Sequence, residues 1–253
     1  MKITKTFIVA VILNVLFIYT GSEAMFNGTG RVDLLELLQS SFGSLTGSVT
    51  PLVVCLPYVT RFYEEKISGY YRLKIMRQGE LGYAMKHVWK AMLSGAMVML
   101  ASLLVYTAIM CIDAMRQDLP ICFDGIVDEY GDPYMPTFYY NLVEQGKGGI
   151  MYILLNVSLL FYAMIWPCYG IVASVFVSNK RLAVVFPFLF KRVIGFMPGA
   201  VAYLGGRRLM LESHMAYLPL GGFLYIAAFV TAAFLVAVLG VYLGMKALMK
   251  RQG

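Results

Sequence analysis

The chain has 253 residues, of which 60% are hydrophobic and only 14% charged, and its mean hydropathy is +0.72. A soluble domain carries about 25% charged residues, so composition excludes an ordinary soluble globule and points to a polytopic membrane protein. In such a chain the net charge of +7 belongs to loops at one membrane face rather than to a nucleic-acid surface.

Six stretches approach the roughly 20 apolar residues that a spanning helix needs: 6–24, 43–61, 88–112, 150–177, 182–204 and 217–245. Lys2 and Lys5 precede the first. Its apolar core followed by Ser22-Glu23-Ala24 also has the pattern of a cleavable secretory signal, which would leave five spans. The second contains Pro51 and Pro57, tolerated in a membrane helix when neighbours satisfy the freed carbonyls. Next comes the most charged segment, 61–90, with Arg61, Lys66, Arg72, Lys74, Arg77, Lys86 and Lys90 against Glu64, Glu65 and Glu80.

After the third span, segment 113–149 is acidic and aromatic, and reads either as an extracellular helix contacting a cationic peptide or as a solvated loop. Cys111 and Cys122 bracket its start and could form a disulfide if it faces an oxidising space, whereas Cys55 and Cys168 sit in apolar runs as small buried thiols. Lys180 and Arg181 separate the fourth and fifth spans. Lys191 and Arg192 fall inside the fifth, where they snorkel, line a polar interface or mark a short interfacial helix. Lys246, Lys250 and Arg251 end the chain. The dense Lys/Arg clusters thus share one face, with Arg207–Arg208 a minor exception. The predicted fold is one all-α transmembrane domain of six helices with both termini cytoplasmic.

Several chemistries are absent. No phosphate-cradling G-x-x-x-x-G-K-[ST] occurs, so the chain itself is not expected to be an ATPase. The two histidines, His87 and His214, fall on opposite sides of the predicted membrane and neither has a Cys or His at ligand spacing, so no cofactor or metal site is expected. His87 reads as an interfacial residue. The doublet Glu64–Glu65 is similar to the E-E-x-x-x-R of prenyl-processing membrane proteases, but six residues rather than three separate it from Arg72, and no later span supplies a histidine.

Two segments carry a resemblance. Phe62, then Glu65-Lys66-Ile67-Ser68-Gly69, then Arg72, follow the second span. Gly170, Ser174 and Ser178 lead into Asn179-Lys180-Arg181 at the end of the fourth. In this order the chain resembles the permease subunit of a bacterial type-two ABC exporter, of the kind serving peptide-antibiotic export and immunity. The resemblance implies a coupling helix at 62–80 lying against a cytosolic ABC ATPase, with Phe62, Glu64, Glu65, Gly69 and Arg72 as coupling residues. It also implies half of a translocation pathway for a peptide or amphiphile, completed by a second permease in the plasma membrane. A plain positive-inside anchor is the simpler account of 61–80, but acids add little to orientation and leave Glu64 and Glu65 without a purpose there. A non-transporting assembly or sensory subunit is the rival from another class.

Overall fold

The computed structural model describes residues 4–26, 31–43, 45–124, 142–143, 145–205 and 220–252, and it is predominantly helical. Helix α1 is Lys5–Phe26, α2 Leu34–Gly43, α3 Leu45–Ile67, α4 Tyr71–Gln78, α5 Glu80–Arg116, α6 Gly148–Phe176, α7 Lys180–Gly205 and α8 Leu220–Gln252. Among the described residues, four helices are long and apolar enough to cross a membrane, over Lys5–Ser22, Glu80–Arg116, Gly148–Phe176 and Val230–Lys250. A fifth candidate is the pair Leu34–Phe42 and Thr46–Ile67, bent by 80°. Helix α7 is not among them, so the coarse architecture is a bundle with four to five candidate spans.

Helix α6 organises the bundle, packing against α3, α5, α7 and α8, while α1 lies on α2, α3 and α5. The core is a continuous set of aliphatic, Met and aromatic side chains, among them Ile18, Leu35, Val54, Met92, Met99 and Ile171. The outward faces of α1 and α5 keep Ile8, Ile12, Leu16, Met97 and Leu104 exposed, the pattern of helices whose solvent is lipid.

The second predicted span differs from expectation at its start. Its irregularity is not a proline kink, because Pro51 and Pro57 both lie within α3. The bend precedes them, and Gly47 makes it possible: a Cβ there would overlap the Phe42 carbonyl oxygen. Pro51 has a different consequence. Lacking an N–H, it leaves the carbonyl four residues earlier, that of Gly47, without its helical donor. Tyr162 Oη of α6 donates to that oxygen at 3.1 Å, and Lys191 Nζ of α7 donates to it as well as to Tyr162 Oη, the latter at 2.8 Å. Lys191 is therefore buried at a polar interface of α3, α6 and α7, while neighbouring Arg192 points outward over the Phe188 ring.

At the end of the bundle away from α4, two short strands add a feature that the all-α expectation lacked. Strand β1, Val32–Asp33, pairs in parallel with β2, Ile121–Cys122. Asp33 Oδ1 accepts the N–H groups of Leu35 and Glu36 at 3.0 and 3.1 Å, which caps α2, and Oδ2 accepts Asp124 N–H at 2.8 Å. Arg31 pairs with Asp124 at 2.8 Å. Cys111 and Cys122, which could pair if they faced an oxidising space, are both free thiols in this structure. Cys122 Sγ is held by the strand pairing, 3.7 Å from the Val32 carbonyl. The acidic loop over 125–141 and the Arg207–Arg208 pair lie outside the described residues.

Candidate functional site

The residues singled out after the second span gather at the basic end of the bundle. Helix α3 runs to Ile67, and its last turns present consecutive side chains to different neighbours because successive residues are about 100° apart. Phe62 is buried, its ring centroid 5.3 Å from that of His87 and 6.3 Å from that of Tyr83. Tyr63 is also buried and donates its hydroxyl to the Ser178 carbonyl. Arg61 and Glu64 face outward, and Glu64 reaches Lys180 at the start of α7 at 2.5 Å.

Glu65 faces inward, with its side chain only 12% exposed. Oε2 accepts from Lys74 Nζ of α4 at 2.5 Å, and Oε1 accepts from Tyr83 Oη of α5 at 3.0 Å. His87 Nε2 lies 3.5 Å from Oε1, and its Nδ1 is 3.0 Å from Tyr58 Oη of α3. One carboxylate thus joins α3, α4 and α5. Lys66 turns the other way and donates to the carbonyls of Ser174, Val175 and Val177 at 2.5, 3.3 and 2.9 Å. These are carbonyls at the C-terminus of α6, which lack helical donors and attract a cation.

Gly69 ends α3 with φ +71°, a left-handed conformation that side chains other than glycine resist, and Gly79 repeats it at φ +74° before α5. Between these turns, α4 anchors itself through buried Tyr71 and Ile75. Its opposite face exposes Arg72, Leu73, Met76 and Arg77, next to exposed Ile67 and Tyr70.

The two segments that carried the resemblance therefore touch. The 61–80 segment binds the end of α6 and the start of α7 through Tyr63, Glu64 and Lys66. Of the five candidate coupling residues, Phe62 and Glu65 are internal, Gly69 forms the turn, and Glu64 and Arg72 are exposed. Sequence reasoning missed Lys66, Lys74, Tyr83 and His87 as partners. The available signal was the four-residue spacing of Tyr83 and His87, which puts two polar aromatics on one face of α5.

The arrangement can hold position and carry charge. Among the described residues, one group of metal-ligand type, Asp33, Cys122 and Asp124, has its ligand atoms within 4.8 Å of one another. Its carboxylates are already engaged by the α2 cap, the Asp124 N–H and Arg31, which fits a structural hub. No protein family, curated protein or solved structure matches the chain.

Proposed function

We propose that the chain is the membrane subunit of an export system driven by a separate cytosolic ATPase, located in the bacterial plasma membrane and paired with a second permease. Residues 61–80 receive the mechanical input. The observation that carries this reading is a short helix with an apolar-basic outer face, braced from within to the rest of the bundle. Leu73, Met76 and Tyr70 are exposed beside Arg72 and Arg77, while Glu65, Lys66 and Tyr63 fasten the same segment to α5, α6 and the turn before α7. An anchor that only orients the chain needs basic residues, but gains nothing from a carboxylate buried against three helices.

In this mechanism the partner's movement presses on the outer face of α4. Glu65 passes the displacement to α5 through Tyr83, and Lys66 passes it to the end of α6. The surfaces in question bear on a peptide or amphiphilic substrate, and ATP with its Mg stays in the partner.

The test is co-purification with the ATPase encoded beside the chain, one bearing a phosphate-binding loop. Replacing Leu73 and Met76 by Glu puts two charges into the contact and is expected to reduce capture at least about tenfold, as loss of a central apolar anchor does. Membrane insertion stays normal, because both side chains are exposed. Unchanged capture and unchanged ATP turnover would leave 61–80 as an anchor and favour the non-transporting subunit.

A further inference from the structure

A cleft of about 330 Å³ opens between α3 and α5 beneath the start of α1. Its rim is cationic, from Arg61 of α3 and Lys90 of α5, and its wall is apolar, from Pro57 and Leu93. Both cations are exposed, and among the described residues neither makes an ion pair. The described charges acting most strongly on Lys90 are Lys86, Lys74 and Arg61, with Glu65 the one carboxylate opposing them. That carboxylate is already committed to Lys74 and Tyr83.

Two further observations point to an anion. Thr4, which lines the cleft, accepts Phe7 N–H at its hydroxyl and opens α1, so the positive end of a 22-residue helix dipole meets the same space. Ser94, also in the lining, is 1% exposed, yet its hydroxyl makes no hydrogen bond among the described residues. Other helical serines here, Ser102, Ser158 and Ser174, each donate to the carbonyl four residues earlier. Ser94 alone of these four leaves its donor for the cleft.

We propose that this cleft binds the phosphate headgroup of an anionic lipid, with Arg61, Lys90 and Ser94 as its ligands. A free phosphate shares that chemistry, but the cleft continues into an apolar track. Leu93, Met97, Leu100 and Leu104 are all exposed and lie on one face of α5, since offsets of 4, 7 and 11 residues return to nearly the same angle. The track is roughly 16 Å long at 1.5 Å per residue, and half a hydrocarbon core is about 15 Å. Its far end enters an apolar groove of about 480 Å³ between α5 and α6. An acyl chain fits this path.

The test uses the full chain, purified in detergent and read by native mass spectrometry against equal amounts of dioleoyl phosphatidylglycerol and dioleoyl phosphatidylcholine. The wild type is expected to retain one phosphatidylglycerol preferentially. Each basic residue beside an anionic surface contributes roughly fivefold, so the joint Arg61→Gln and Lys90→Gln change costs about 25-fold and abolishes the preference. Ser94→Ala weakens it by a smaller factor, and Lys246→Gln, at the same end on α8, leaves it intact. Equal retention of both lipids by the wild type overturns the proposal without reference to any variant, as does a preference that survives loss of both cations. Inorganic phosphate in millimolar excess is the remaining arm. Displacement of the lipid by phosphate alone would assign the site to a free anion and overturn the lipid.

Discussion

Glu64 and Glu65 are adjacent and chemically identical, yet they have opposite roles because a helix separates them by about 100°. Glu64 makes an exposed pair with Lys180, with the two side chains 64% and 44% exposed, and such pairs contribute about 0–1 kcal/mol. Glu65 leaves Lys74 and Tyr83 without their acceptor when removed, a loss of about 1–3 kcal/mol per stranded group. Glu65→Ala should therefore lower the thermal midpoint in detergent clearly, and Glu64→Ala barely. A cycle of Glu65→Ala with Lys74→Ala should be non-additive, and additivity would deny that the pair is coupled. Cys122 gives a second test at this scale. Burial raises its thiol pKa, and the carboxylates of Asp33 and Asp124 raise it further, while Arg31 opposes them. Asp124→Asn removes one of the two negative charges beside the thiol, so the thiolate forms more readily. In a Cys111→Ser background, the pH profile of Cys122 alkylation should move to lower pH, and a move to higher pH would refute the assignment.

The element whose logic sequence reading only half reached is the second span. Pro51 was legible as a proline needing help, and Lys191 as a charge needing a reason, but nothing in the sequence joined two positions so far apart in the chain. Their link is the Gly47 carbonyl, freed by Pro51 and satisfied by Lys191 and Tyr162. Which of Lys191 and Arg192 turned inward was likewise invisible, because composition is the same whichever way α7 rotates. Four of the six predicted spans were readable as long apolar helices, since about 20 apolar residues in a row admit few alternatives. The 182–204 stretch, interrupted by Lys191 and Arg192, is a helix that does not qualify as a span among the described residues. The bend before α3 was not readable, because Gly47 matters only once Phe42 lies across it. A rescue experiment tests the link. Lys191→Met should destabilise by about 0.5–1.5 kcal/mol, because it removes one of two donors to the Gly47 carbonyl and leaves Tyr162 on it. Pro51→Ala restores an N–H to that carbonyl, so the same Lys191→Met change should cost less in the Pro51→Ala background. Equal costs in both backgrounds would show that Lys191 serves something other than the Gly47 carbonyl. Arg192→Met, on the exposed side, should be nearly neutral.

Across the whole molecule, charge and helix direction agree. Thr4, Arg61 and Lys90 surround one cleft, Glu64 meets Lys180, and Gly244 of α8 lies beside Val175 of α6, so Lys5, Arg61, Lys90, Lys180 and Lys246 collect at one end. Asp33 and Asp124 mark the other end, together with the β1–β2 pair. Charge clustering was readable along the chain because each loop declares its own sign. The internal brace was not, because Glu65, Lys66, Tyr63 and Lys74 all sit in a segment whose charges look solvated until α5 and α6 are placed against it. If the basic end faces the cytoplasm, as Lys/Arg asymmetry predicts, single cysteines at the two ends must label from opposite sides. In a Cys111→Ser and Cys122→Ser background, Asp118→Cys should react with a membrane-impermeant maleimide on intact cells. Tyr70→Cys, exposed beside α4, should react only after permeabilisation. The reverse pattern would invert the chain and put the α4 face beyond reach of any cytosolic ATPase, ending the coupling mechanism. Labelling of both from one side would break the bundle's alternation itself. Only the predicted pattern leaves Leu73 and Met76 where a cytosolic partner can press on them.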